Sequence, residues 1–139
     1  MAEAVELIEK GGKACDLVKD GIIVATEDGS GIKPLLRLLD EKSALLKDAW
    51  VVAKVIGRAA AAICIMGGAK RVDALIMADD AAALLASHGI IAGARKRVER
   101  IRNRENTDFC PMELASEGLL EPADIVEAVR KRAAELAIK

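Results

Sequence analysis

The chain contains almost no aromatic residues. Trp50 and Phe109 stand alone, tyrosine is absent, and aromatic residues make up 1% of the 139 positions. A surface that stacks nucleic-acid bases needs aromatic faces, so this class of function is disfavoured. Proline is scarce as well, with three residues, while 53% of the chain is hydrophobic. A disordered chain is therefore excluded, and the core must be aliphatic.

An excess of charge of either sign is also lacking. The 22 acidic and 21 basic residues leave a formal net charge of −1, so no global field attracts a polyanion. The first ten residues are acidic and amphipathic, unlike a secretory signal. The longest apolar stretch, residues 49–66, carries Lys54 and Arg58 and is too short and too charged for a membrane span. We therefore expect a cytoplasmic protein without a membrane partner.

The three cysteines, at positions 15, 64 and 110, follow no metal-ligand spacing and form no disulfide framework. Cys15 and Cys64 lie in apolar runs, which is typical of small hydrophobic core residues. A reducing compartment is the expectation that follows from this pattern.

Glycine, aspartate and proline divide the chain into short elements within one domain that spans all 139 residues. Two β-rich runs, residues 15–19 and 22–27, flank Asp20-Gly21, which is typical of a hairpin turn. Pro34 begins a leucine-rich helix that fades between residues 40 and 43.

The remaining elements are predicted from caps and periodicity. They are a short helix at residues 3–10, a helix over 49–66 capped by Asp48, a buried strand over 72–78, a helix ending at His88 and Gly89, an extended piece from Ile90, a short helix near Cys110, and a final helix over about 122–138. The order of the elements is hairpin, helices, strand, helix, strand and helices. This order predicts an α/β protein, a three-layer sandwich with a mixed β-sheet.

The helix predicted over residues 49–66 is apolar apart from Lys54 and Arg58. A helix that is apolar all round is a buried helix, and a buried cation is costly unless an anion meets it. Lys54 and Arg58 would share a helix face with Gly57, where a ligand could approach the backbone closely. The hypothesis is a pocket for a phosphate or carboxylate group. The alternative is that both cations pair with acids of the chain or extend to solvent.

Two further basic regions are candidates for contacts with an anion. Lys33 follows a glycine-rich turn, residues 28–31, where amide groups before a helix favour an anion. The turn lacks the ending of a phosphate-binding loop, so a plain strand-to-helix turn is the alternative. Residues 95–104 hold six cations and one acid. This stretch, which includes Asn103 and Arg104, forms either a phosphate-contacting ridge or a solvated face that could join two subunits.

Cys110 is a candidate nucleophile because it precedes Pro111, a typical first residue of a helix. A thiol at a helix N-terminus has a lowered pKa, and Glu113 falls where a carboxylate caps backbone donors. A nucleophilic cysteine also needs a base, however, and His88 is expected to cap the end of its own helix. The alternatives are a structural thiol and an enzyme that uses Cys110 with Glu113.

Several segments in order resemble a known family. They are Gly31-Ile-Lys-Pro-Leu-Leu36, Ala53-Lys-Val-Ile-Gly-Arg-Ala-Ala60, Ile101-Arg-Asn-Arg104 and Cys110-Pro-Met-Glu113. From about residue 13 to residue 117 the chain resembles a small prokaryotic family, the domain of unknown function 1893 group, and the final helix lies outside this likeness. The resemblance implies a fold like that of the cytidine deaminases.

Zinc chemistry does not follow from the resemblance. A deaminase needs a His or Cys with a Glu two residues later, and a Pro-Cys-x-x-Cys at the next helix start. Residues 53–57 and 78–82 hold no such ligands, so we expect no cofactor and no hydrolytic deamination. The leading hypothesis is a non-catalytic module that binds a small anionic ligand, phosphorylated or nucleotide-like. The alternatives are an enzyme that uses Cys110 as a nucleophile or redox centre, and a protein-interaction module. A homo-oligomer is a further expectation.

Overall fold

The structure, a computed structural model, describes residues 15–27, 32–99 and 118–138. Their elements are, in chain order, β1 (Cys15–Lys19), β2 (Ile22–Glu27), α1 (Lys33–Glu41), α2 (Ser43–Leu46), β3 (Trp50–Ile56), α3 (Arg58–Gly67), β4 (Arg71–Ala78), α4 (Asp79–Ser87), β5 (Ile91–Val98) and α5 (Pro122–Ile138). The helices predicted at residues 3–10 and near Cys110 lie outside the described residues.

The strands form one five-stranded sheet in the order β2-β1-β3-β4-β5. β1 pairs antiparallel with both β2 and β3, whereas β3, β4 and β5 are parallel to one another. Parallel neighbours need a crossover connection, and α3 and α4 provide it for the two parallel pairs. The prediction of an α/β fold with a mixed sheet is therefore confirmed.

The β1–β2 hairpin turns at the predicted residues. Asp20 and Gly21 both have positive φ angles, 51° and 77°, as the tight two-residue hairpin turn requires. Further along, the register passes from Leu17↔Ala25 to Val18↔Ile23, so Val24 is an extra residue in β2. This β-bulge bends and twists the strand locally.

The helix predicted over residues 49–66 is wrong in its first half. Residues 50–56 form the central strand β3, and α3 begins only at Arg58. Asp48 is not a helix cap but a left-handed residue, with φ of 60°, that leads into the strand. A strand buried on both faces shows no apolar–polar alternation, so the run resembles a buried helix in sequence.

One large apolar core lies on the first face of the sheet. It joins Leu17, Val51 and Val72 of the strands to α1, α3, α4 and α5. On the second face, Val18 and Val52 are buried with half-buried Trp50 beside them. All five described helices contribute buried residues to the core of the first face.

Small residues let the helices pack closely around α3. Residues 59–62 are four buried alanines, and a side chain at Gly67 would clash with buried Leu46. The final helix was predicted from its apolar spacing, and Val126 and Val129 are indeed buried. No helix within the described ranges is long and apolar enough to cross a membrane.

Candidate functional site

The three central candidates, Lys54, Gly57 and Arg58, do not share a helix face. Lys54 lies on β3 and is exposed, Gly57 is buried, and Arg58 is the first, half-buried residue of α3. The argument from buried cations is therefore wrong for Lys54. Arg58 already interacts with another group of the chain. What the structure keeps together is Gly57 and Arg58 at one helix start.

The start of α3 has no side-chain cap. Gly57 is the N-cap residue, with φ of −96° and ψ of −175°, and the first turn contains no acidic residue. The carbonyl oxygen of Gly57 accepts a hydrogen bond from the amide of Ala61 at 2.9 Å. The first amides of a helix have no acceptor within it, and the helix dipole is positive at this end. The geometry thus favours a bound anion.

The neighbouring helix α4 starts differently. It follows β4 directly with Ala78 at the N-cap, and Asp79 and Asp80 both lie in the first turn. Asp79 Oδ1 also accepts a hydrogen bond from Arg97 Nε of β5 at 3.0 Å. The positive end of α4 therefore already has carboxylates of its own beside it.

The other predicted contacts are dispersed or lie outside the described residues. Lys33 is the exposed first residue of α1, whose buried residues belong to the first face of the sheet. Lys54 follows Val52 by two residues on β3 and so lies on the same, second face of the sheet. Arg95, Lys96 and Arg97 are exposed on β5. The remaining candidates, Asn103, Arg104, Cys110 and Glu113, lie outside the described residues and stay predictions.

A groove of about 490 Å³ lies elsewhere, between α1, α3 and α5. It is lined by Leu39, Met66, Ala123, Val126, Glu127 and Arg130. Met66 is near the last residue of α3, whereas Gly57 precedes its first. The groove and the start of α3 are therefore separate features at opposite ends of one helix.

A polar cluster on the second face was missed from the sequence. Asp73 of β4 is 1% exposed, and its Oδ2 accepts hydrogen bonds from Trp50 Nε1 and Arg71 Nε, both at 2.7 Å. The guanidinium carbon of Arg71 is 5.5 Å from the centroid of the Trp50 ring. A side chain at Gly93 would clash with Asp73 Oδ1, so the adjacent strand leaves room for the carboxylate.

A second buried acid lies in the same transverse row of the sheet. Asp16 is fully buried, and it pairs in register with Val52, which pairs with Asp73. Asp16 also interacts with another group of the chain. The sequence feature that could have revealed these two acids is a charged residue inside a short apolar strand. A carboxylate is buried in such a strand only when it is paired or hydrogen-bonded, so its presence there indicates partners in the fold.

Two smaller predictions are confirmed. Cys15 and Cys64 are buried free thiols, and burial raises the pKa of each to about 12, helped at Cys15 by the nearby Glu27 charge. They therefore stay protonated at neutral pH. His88 is the C-cap of α4, where its Nδ1 lies 3.1 Å from the carbonyl oxygen of Leu84.

The stretches compared with the zinc site of a deaminase do not suit a metal. Residues 53–57 belong to β3 and the cap of α3, and residues 78–82 begin α4. Within the described part of the chain, no group of three or more His, Cys, Asp or Glu side chains could hold a metal ion. The ligand set that zinc hydrolysis requires is not supplied by these residues.

A solved structure shows the same fold. A protein of the DUF1893 family from Thermotoga maritima matches with 20% identity and a TM-score of 0.82, over 94% of this chain and 88% of that one. A weaker match is a diaminohydroxyphosphoribosylaminopyrimidine deaminase/5-amino-6-(5-phosphoribosylamino)uracil reductase from the same organism. It has 17% identity and a TM-score of 0.49, over 84% of this chain and 39% of that one.

The sequence comparisons give the family itself. No curated protein matches the chain. The family model for the domain of unknown function DUF1893 matches residues 3–132, a wider span than the residues 13–117 that carry the resemblance. Because this match covers nearly the whole chain, the protein belongs to the DUF1893 family.

Proposed function

We propose that this protein is a non-catalytic module that binds a small anionic ligand, phosphorylated or nucleotide-like, at the start of α3. The observation that carries the proposal is the uncapped helix start at Gly57, which has no acid in its first turn and Arg58 as its first residue. The amides of residues 58–60 would hydrogen-bond the anion, and the helix dipole would stabilise its charge.

The position of this helix start supports the proposal. It directly follows β3, at the carboxyl end of a strand within the parallel part of the sheet. In open α/β sheets, ligands bind in the crevice outside the carboxyl ends of the strands. Lys54, exposed near the end of β3, would add positive charge without a direct contact.

Calorimetric titration with inorganic phosphate and with a nucleoside monophosphate tests the proposal, with the unphosphorylated nucleoside as a control. We expect both phosphates to bind and to raise the melting temperature, while the nucleoside alone binds weakly. Arg58→Ala should weaken phosphate binding at least about tenfold, since charge-assisted hydrogen bonds are the strong ones. Lys54→Ala should cost about twofold to threefold, because an exposed charge is screened by salt.

The matched control is Lys131→Ala, which removes an exposed cation of α5 away from the site. It should bind phosphate like the wild type. Equal losses in Arg58→Ala and Lys131→Ala would show only a general effect of net charge. No binding by the wild-type protein would contradict the proposal outright.

A further inference from the structure

Arg71 is held in place from two sides by the polar cluster of the second face. Its Nε atom donates to buried Asp73 at 2.7 Å, and its guanidinium lies against the Trp50 ring. The Asp73 carboxylate is in turn fixed by the Trp50 indole and fits against Gly93. An exposed arginine normally samples many rotamers and loses this conformational entropy when it binds a partner. Because the cluster already fixes the Arg71 side chain, the entropy cost of binding at Arg71 is smaller.

The bond through Nε determines what Arg71 presents outward. A guanidinium has five N–H donors in a planar fork. Only Nε is used by Asp73, and within the described residues no acceptor binds the two Nη groups. The Arg71 side chain is 44% exposed. It therefore offers the two-donor edge that binds a carboxylate in a bidentate manner.

The surroundings of Arg71 combine an apolar contact with positive charge. Ile91 pairs with Arg71 in register and is 63% exposed. Lys70 precedes Arg71, and the amide of Lys70 bonds to the carbonyl oxygen of Ala49, next to exposed Lys47 and Asp48. Around this end of β3 and β4, Lys47, Lys70 and Arg71 lie near exposed Asp48 and the buried Asp73 that pairs with Arg71, so these five groups carry one net positive charge.

We propose that Trp50, Arg71 and Ile91, here called the Arg71 surface, dock an acidic peptide segment of another protein. A Glu or Asp carboxylate of the partner accepts both Nη groups of Arg71, and a neighbouring apolar side chain of the partner packs on Ile91. Charge complementarity favours this occupant. Arginine and tryptophan are also the residues most enriched where protein contacts are strongest. The surface lies apart from the start of α3 and does not depend on the function proposed there.

Trp50 makes the test direct because the chain has one tryptophan and no tyrosine, so its fluorescence reports on the Arg71 surface. A blocked peptide of alternating leucine and glutamate is titrated into the full chain, and the same peptide with glutamine in place of glutamate is the control. We expect the glutamate peptide to change the emission in a saturable way. Arg71→Lys should bind about tenfold more weakly, because lysine keeps the charge but lacks the fork.

Further variants separate the contributions of single groups. Arg71→Ala should lose at least as much affinity as Arg71→Lys, whereas Lys70→Ala should stay within about twofold of the wild type, since it removes only screened charge. Arg58→Ala should bind the peptide normally, which distinguishes this surface from the start of α3. Removing Arg71 leaves the buried Asp73 carboxylate with the Trp50 indole as its remaining side-chain donor within the described residues, so a lower melting temperature is expected in these variants. Circular-dichroism spectra that match the wild type at the titration temperature would show that they are folded.

Four results would overturn the proposal. The glutamate and glutamine peptides could bind equally, or Arg71→Lys could bind like the wild type. Inorganic phosphate could displace the peptide at the concentration where phosphate itself saturates the protein, which would indicate a small-anion site. Finally, sedimentation could show self-association that Arg71→Ala abolishes, in which case the occupant is a second copy of this chain.

Discussion

Two helices, α3 and α4, begin at the same end of the sheet in opposite ways. Each follows a parallel strand and leads to the next one, and each is rich in alanine. α3 begins with uncapped Gly57 and then Arg58. α4 begins with Asp79 and Asp80, the first of which is paired with Arg97. The backbone supplies the same positive helix end in both places, and only the side chains differ.

Under the function proposed above, this difference separates a helix start that binds a ligand from one that only stabilises the fold. Carboxylates in the first turn complement the helix dipole and add to stability without any ligand. At the start of α3, the cap and first turn supply no carboxylate for this interaction. The helix that begins without its own anion is the one expected to gain stability when an external anion binds.

The largest effect is expected when α3 is made to resemble α4. Gly57→Asp places a carboxylate at the N-cap of α3, where it can cap the helix amides, and the extended backbone there (φ of −96°) is one that any residue adopts. Phosphate affinity, measured by calorimetric titration, should fall at least about tenfold, equivalent to about 1.4 kcal/mol. Gly57→Asn, which caps without charge, should lose less. Wild-type affinity in Gly57→Asp would show that the anion does not bind at α3.

A smaller effect is expected when α4 is made to resemble α3. Replacing Asp79 and Asp80 together by asparagine should lower the free energy of unfolding by about 1 kcal/mol at low salt, because each charge contributes about 0.3–1 kcal/mol beside the dipole. Urea denaturation at low and high salt measures this loss, which should shrink as salt screens the interaction. Asp124→Asn in the first turn of α5 is the single-charge control. A loss that does not change with salt would rule out the electrostatic explanation.

The smallest effect is expected at an ion pair remote from both helix starts. Arg130 Nη1 of α5 donates to Asp40 Oδ2 of α1 at 2.7 Å, and this bond lowers the pKa of Asp40 below its ordinary value of 3.8. A lowered carboxyl pKa means that the pair stabilises the fold above the unfolded-state pKa. This stabilisation is lost as the pH falls through the folded-state pKa.

Both side chains of that pair are nearly half exposed, so Asp40→Asn should cost no more than about 0.5 kcal/mol near neutral pH. Comparison of unfolding curves for wild type and variant at neutral and strongly acidic pH measures this cost, which should vanish in acid. Phosphate binding should be unchanged. A variant that loses phosphate binding would place the anion site near α5 and not at α3.

Local turn chemistry could be predicted from the sequence, whereas the central strand could not. Asp20-Gly21 formed the expected turn, and Gly68 and Gly89 end their helices with positive φ angles, because few other residues adopt that conformation easily. In β3, by contrast, Val51, Val52 and Ala53 are all buried although they alternate between the two faces. Their apolar run shows neither the helical nor the strand period of hydrophobic residues. Whether it forms a helix or a strand is therefore determined by tertiary contacts, which the local sequence does not show.

The candidate site was affected by the same ambiguity. The cost of burying a charge was a sound argument, but it was applied to Lys54, which the strand leaves exposed. Applied to the strands that were predicted correctly, it identifies Asp16 and Asp73, the buried polar residues among those described. The partners of Asp73 could not be predicted, because Trp50 and Arg71 reach it through cross-strand register and not through sequence spacing.

The two edges of the described sheet have a consequence for how the chain behaves at high concentration. A flat, uncharged edge strand is a template for sheet-to-sheet aggregation. Here β2 is kinked by the bulge at Val24, and β5 carries Arg95, Lys96 and Arg97 toward its end. Both features discourage a further strand from adding to the sheet. Another molecule would therefore recognise this protein through side chains on its faces and helix ends, and not by extending its backbone ladder.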